Sequence, residues 1–310
     1  MPLRPLIIDC DPGADDAIAL FLTFASHHFD VLAVTTVAGN VPLSLTQRNA
    51  RIICELAKRA DVPVYAGCPR PLLRSLVTAE EVHGQTGLDG VDLPEPTMPL
   101  QAEHAVNFLI QQLMQAEEPV TLATLGPLTN LAVALIQQPV IREKIQEVVV
   151  MGGSMTQGNV TPSAEFNIYA DPHAAHVVFN AELPLTMIGL DVTHQAIATP
   201  ERMQTIREIG NSVSQIAIGL LDHYGKFDMA RYGTPGPFLH DPCVIAYLLR
   251  PDLFDGRKAA VEVEITSNLT IGRTVVNQWN SSEGHANAFV VTEIDADGFY
   301  QELTKALASY

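Results

Sequence analysis

Residues 9 to 17 read DCDPGADDA, which places four carboxylates, Asp9, Asp11, Asp15 and Asp16, within eight positions. Like charges that close repel strongly unless something neutralises them. Capping of a following helix by Asp15 or Asp16 accounts for one or two of the acids, not for four. Pro12-Gly13 supplies a tight turn that folds the segment back, so that Asp11 and Asp16 converge where a divalent cation would relieve the repulsion. Oxygen-only ligands, with no paired histidine or cysteine nearby, point to a hard ion, calcium or magnesium, rather than zinc. A second acidic element, His240-Asp241-Pro242, stands far along the chain. It also reads as an N-cap followed by a first-turn proline. The two readings are compatible, because a carboxylate at a helix start can face a shared crevice.

The elements that must position these acids alternate in type. Leu6 to Asp9, Val31 to Val37, Pro63 to Ala66, Val120 to Thr124, Glu147 to Met151 and Leu185 to Ile188 read as strands. Between them Asp15 to Ser26, Leu45 to Arg59, Ala102 to Ala116, Thr129 to Gln137 and Pro172 to Asn180 read as helices. Strands separated by helices imply βαβ units, hence an α/β fold with a mostly parallel central sheet flanked by helices. Continuous apolar runs such as Val148-Val149-Val150 fit a sheet covered on both faces. Ligands of such sheets sit beyond the carboxyl ends of the strands. The text after each strand is therefore informative: Asp11, Gly39-Asn40, Gly126-Pro127, Gly152-Gly153 and Asp191.

After Thr199 the pattern predicts a long helix near Glu201 to Tyr224, a Gly/Pro-rich segment from Tyr232 to Pro237 and a helix from Asp241 to Leu249. Strands near Ala260 to Thr266 and Ala288 to Ile294 and a helix near Gly298 to Ala308 complete the C-terminal part. No linker-like shift of composition, repeat or low-complexity tract interrupts the chain, which reads as one domain over residues 1 to 310.

With 35 acidic against 18 basic residues and a net charge of −17, the field of the chain repels phosphate backbones and anionic membranes. Nucleic acid and membrane partners are excluded, and neutral or cationic small molecules remain. Cys10, Cys54, Cys68 and Cys243 form neither a CxxC pair nor a disulfide framework. Together with the lack of a leader-like or membrane-spanning apolar run, this gives the expectation of a soluble cytoplasmic protein.

The motifs resemble those of the inosine-uridine preferring nucleoside hydrolase family. DCDPGADDA at 9 to 17, AGN at 38 to 40, LGPLTN at 125 to 130, MGG at 151 to 153, EFNIYADP at 165 to 172 and HDP at 240 to 242 follow the family's order over nearly the full length. The resemblance implies the Rossmann-like nucleoside hydrolase fold and one calcium ion per chain, held by Asp11, Asp16, Asp241 and the backbone carbonyl of Leu125. It implies that Asp15 and Asn40 grip the ribose 2′ and 3′ hydroxyls. Met151, Glu165 and Asn167 would surround the sugar, the last two near its 5′ hydroxyl. The implied partners are a small ribonucleoside substrate and further copies of the chain, in a dimer or tetramer.

The implied reaction suits these residue types. Asp11 would act as general base toward a water acidified by the cation, and the carboxylates would stabilise an oxocarbenium-like transition state without a protein nucleophile. His240 fits the family's proton donor to the leaving base. His83, in the glycine-rich VHGQTGLDG, could close over the base or simply be solvated. HDP favours the branch of the family that accepts pyrimidine as well as purine nucleosides. The segment Tyr224 to Tyr232 reads either as a flap over the base or as a surface loop. Its tyrosines, like Trp279, receive no assigned role. Two rivals remain: a haloacid-dehalogenase-like phosphatase using Asp9-Cys10-Asp11, although Gly13 departs from that pattern, and a non-catalytic nucleoside or ribose binder.

Overall fold

The structure is a computed structural model, and it describes residues 3–279 and 286–310. Ten strands occur among these residues: β1 (Arg4–Cys10), β2 (Phe29–Thr36), β3 (Val64–Ala66), β4 (Val120–Thr124), β5 (Ile145–Met151), β6 (Leu185–Ile188), β7 (Phe254–Ala259), β8 (Val261–Val263), β9 (Thr274–Val276) and β10 (Ala288–Ile294). Eight of them form one sheet in the order β3-β2-β1-β4-β5-β6-β10-β7, and β8 pairs with β9 separately. All neighbours in the large sheet are parallel except β10 and β7.

Side chains alternate across each strand, and the burial follows that period. In β1, Leu6, Ile8 and Cys10 join one core, while Ile7 joins the other. In β5, Val149 and Met151 face the first core and Val148 and Val150 the second. Helices Ala14–Ala25, Ser212–Tyr232, Asp241–Leu249 and Ala296–Ala308 contribute to the first. Helices Ala105–Gln115, Thr129–Gln137 and Pro172–Phe179 contribute to the second. A strand buried on both faces needs apolar residues at every position, which is what the continuous Val run supplies.

Strand order reverses between β1 and β4, because the chain first grows outward through β2 and β3 and then returns to the other side of β1. The two connections leave the sheet in opposite directions there, opening a crevice at the carboxyl ends. Asp11 follows β1 and Leu125 follows β4, and the Leu125 N–H donates to the Asp9 carbonyl at 2.8 Å. Among the described residues no helix is long and apolar enough to cross a membrane.

Several elements differ from the reading of the sequence, which contained neither β7 nor β9. The helix expected near Glu201 to Tyr224 is two, Pro200–Ile209 and Ser212–Tyr232. Gly210 ends the first at a φ of 74°, in the left-handed region that favours glycine, and the Asn211 side chain caps the second by accepting from the Ser214 N–H at 2.8 Å. The second helix then runs through Gly225 to Tyr232, so the segment expected as flap or loop is helical. Gly225 is retained inside it because Pro237 packs so closely that a Cβ would lie 2.8 Å from its Cδ. Finally, the strand expected over Ala260 to Thr266 is shorter, because the chain leaves the large sheet after β7 and β8 turns to pair with β9.

Candidate active site

The crevice at the switch point is walled by residues from the ends of β4 and β5, the starts of helices Ala14–Ala25 and Asp241–Leu249, and the last turns of helix Ser212–Tyr232. It encloses about 760 Å³ of empty space, counted out to its open mouth. That is ample for a ligand of nucleoside size.

Its floor is acidic. Asp15, Asp16 and Asp241 each offer an oxygen within 4.8 Å of the others, and all three are buried. Two members of the expected ligand set, Asp16 and Asp241, thus meet, and Asp15 completes the triangle. Asp11 stands against them: its N–H donates to Asp16 Oδ1 at 3.3 Å, and its own Oδ2 accepts from the Asn40 N–H at 2.7 Å. Asp16 also performs the capping considered for it, since Oδ2 accepts from the Gly13 N–H at 2.9 Å. The Asn40 amide spans the group, donating to Asp16 Oδ2 at 3.1 Å and to the Asp11 carbonyl at 3.2 Å.

Each of these acids is pushed above the usual carboxylate range. Burial is the largest cause for all four; repulsion from Asp16 adds for Asp11 and for Asp15, which rises to about 7, and repulsion from Asp15 adds for Asp241. Asp11 Oδ1 is buried and has no hydrogen-bond partner. An orphaned carboxylate oxygen beside three crowded carboxylates is a donor set that fits a hard divalent cation, which would replace protons as the neutralising charge.

Glycine makes this packing possible. A methyl on Gly39 would overlap Asp11 Oδ2, and a methyl on Gly126 would overlap Asp11 Oδ1. The AGN and LGP segments therefore clamp one carboxylate from both sides. Asp9 points elsewhere, its Oδ1 accepting from Thr35 Oγ1 at 2.5 Å and Asn130 Nδ2 at 2.7 Å. It ties β1 to its neighbours through that oxygen.

The crevice is also lined by Leu125, Met151, Glu165 and Asn167. Asn167 Nδ2 donates to the Leu125 carbonyl at 2.7 Å and to the Met151 carbonyl at 3.2 Å. Glu165 caps helix Phe166–Ala170 and also accepts from the Gly153 N–H at 2.9 Å. Burial raises its carboxyl to about 7 against the lowering effect of those N–H donors.

Both candidate histidines line the crevice. His83 Nδ1 accepts from the Ala14 N–H at 3.2 Å, which leaves Nε2 as the protonated nitrogen, and its ring stacks on Tyr224 at 5.3 Å between centroids. Burial lowers its pKa to about 3. His240 Nδ1 lies 2.7 Å from Thr193 Oγ1. Burial, then the nearby His194 and His83, hold its imidazole well below the usual histidine range. Sequence reasoning missed Thr193 and His194 here, and it missed Phe227, Asp228 and Arg231 on the helix that had read as a flap or loop. Tyr224 and Tyr232, left without a role, also line the wall, whereas Trp279 is exposed.

With this geometry in place, the comparisons are consistent with one another. The family model for inosine-uridine preferring nucleoside hydrolases matches residues 6–301. The pyrimidine-specific ribonucleoside hydrolase RihA of Shewanella woodyi is 46% identical over 308 residues, covering 99% of each chain. Among solved structures, the plant nucleoside hydrolase PpNRh1 is 30% identical with a TM-score of 0.92 over 99% of both chains. A purine-preferring ribonucleoside hydrolase from Gardnerella vaginalis is 29% identical with a TM-score of 0.92 over 98% of both. A crevice floored by crowded carboxylates, on a sheet shared with these enzymes and under a family match spanning almost the whole chain, makes this protein a hydrolase belonging to the inosine-uridine preferring nucleoside hydrolase family.

Proposed function

We propose that the protein hydrolyses the N-glycosidic bond of ribonucleosides to ribose and free base, accepting pyrimidine as well as purine bases. We further assign it one calcium ion per chain, held by Asp11, Asp16, Asp241 and the Leu125 carbonyl. The observation that carries this reading is the buried carboxylate group with its orphaned Asp11 Oδ1 at the switch point of a nucleoside hydrolase sheet. The pyrimidine-specific name of the 46% identical relative supports pyrimidine turnover.

When bound, a calcium ion supplies positive charge that acidifies water and attracts sugar hydroxyls. Asp11 accepts the proton of the attacking water through its free oxygen. Asp15 and Asn40 orient the 2′ and 3′ hydroxyls. Glu165 and Asn167 serve the 5′ end, with Met151 packed against the sugar. The anionic floor stabilises the positive charge that develops as the glycosidic bond breaks. His240, fixed through Nδ1 by Thr193, delivers a proton to the departing base, and His83 closes the crevice over it.

Incubating the purified chain with uridine, cytidine, inosine and adenosine and measuring free ribose tests the reaction. Ribose is expected from the pyrimidine nucleosides at least, and none from any of the four would defeat the assignment. Exhaustive chelation should abolish turnover and calcium should restore it. Full turnover after chelation, with metal loss verified by elemental analysis, would remove the cation from the mechanism. The protein is further expected to form a dimer or tetramer, and a monomeric mass by light scattering would contradict this.

Two further outcomes follow from the geometry. A 2′-deoxynucleoside leaves Asp15 and Asn40 with an unpaired polar group, so kcat/KM for deoxyuridine should fall about 100-fold or more below uridine. Equal values would detach these residues from the sugar. Gly126→Ala forces the Asp11 carboxylate aside, and misplacement on the scale of an ångström costs about 100-fold in rate. A variant with normal circular dichroism and unchanged kcat would show that Asp11 tolerates the shift.

A further inference from the structure

We propose that Asp228 selects nucleosides whose base carries an exocyclic amine at the edge remote from the sugar, making cytidine a better substrate than uridine. This rests on the hydrolase reading and specifies the substrate class for the same crevice.

Helix Ser212–Tyr232 leads away from the acidic floor. Tyr224, stacked on His83, lines the crevice, and Asp228 lies one helical turn farther along the same face. If the sugar is held at the floor, the base extends along this wall, past the rings of Tyr224, Phe227 and Tyr232. Asp228 is the one carboxylate that this helix contributes to the crevice. Glu81, also in the wall, is exposed to solvent.

Asp228 is 4% exposed. One of its oxygens, Oδ2, accepts from the Phe238 N–H at 2.9 Å and fastens the connection after the helix. Among the described residues the other makes no hydrogen bond and no ion pair, although the Arg231 guanidinium is near enough to favour its charged form. Burial raises its pKa to about 6, so the group is ionised in mildly alkaline solution. A carboxylate only accepts hydrogen bonds. In a pyrimidine nucleoside, the substituent para to the glycosidic nitrogen is an amine donor in cytosine and a carbonyl acceptor in uracil. The amine satisfies the unused oxygen. The carbonyl leaves it buried and opposed by another lone pair.

At pH 8, kcat/KM for cytidine should exceed that for uridine by about 10- to 100-fold, the span of one hydrogen bond to a charged acceptor. Asp228→Asn keeps an oxygen for the Phe238 N–H and places an amide donor where the free oxygen was. In that variant the cytidine preference should vanish or reverse. A parent ratio near one, or the same ratio in a folded Asp228→Asn protein, would overturn the proposal. Equilibrium binding of cytidine and uridine to chelated parent protein separates this idea from the reaction itself. Tighter cytidine binding without turnover on any nucleoside would keep the amine selection and defeat the hydrolase reading. Equal binding of the two would defeat the selection.

Discussion

Asp11→Asn is expected to lower turnover more than about 10⁴-fold on every ribonucleoside, whatever its leaving group, because in the proposed mechanism it removes the proton acceptor for water and one anionic contact to the cation. The substitution is close to isosteric, and its amide oxygen can still accept from the Asn40 N–H that now binds Asp11 Oδ2. Folding should not suffer. In metal-free protein the carboxyl of Asp11 is disfavoured as an anion by burial and by Asp16, so a neutral amide removes a buried repulsion. The melting temperature of the chelated variant should equal or exceed that of the chelated parent, while the stabilisation gained on adding calcium should shrink. Both are read by thermal scans beside a ribose assay. A variant retaining more than about a tenth of parent kcat would place the general base elsewhere.

His240→Ala is expected to cost roughly 10² to 10⁴-fold with uridine, the usual span for general acid catalysis, and little with a nitrophenyl riboside. Nitrophenolate departs without a proton, whereas a nucleobase must receive one. The contrast separates help to the leaving group from support of the acidic floor, which matters because His240 is joined to Asp241. Its ring lies 2.7 Å from Thr193 Oγ1, in the segment after β6, and 5.8 Å from the His194 ring. Losses of similar size on both substrates would mean that His240 maintains the floor. His83, with Nε2 as its protonated nitrogen, would then be the residue to substitute next.

The expected strands of the parallel sheet were legible because they are short runs of aliphatic and β-branched residues, most of them buried. The acidic floor was legible because four carboxylates within eight residues have no cheap structural explanation. Distances along the chain do not hide such a cluster: Asp11, Asp15 and Asp16 are local to one turn, and Asp241 advertises itself by its own His-Asp-Pro motif. That Asp15 rather than Asp11 completes the triangle with Asp16 and Asp241 was not legible, since it depends on how the turn at Pro12-Gly13 directs each side chain.

The wall of the crevice is a different case. Gly225 weakens helical propensity locally, and only the packing of Pro237 against Gly225 shows why the glycine stands there. The continuation of the helix sets Tyr224, Asp228 and Tyr232 on one face, four residues apart, and so lines the crevice with them. Likewise Thr193 meets His240 across 47 positions of sequence, a contact that no local spacing encodes. The sequence by itself determined the sheet, its direction and the chemistry of its floor, because strand patterning and clustered charge are local properties. Tertiary structure alone decided which oxygen is left unpaired, which histidine nitrogen is free and which helix lines the crevice, because these follow from how distant elements pack.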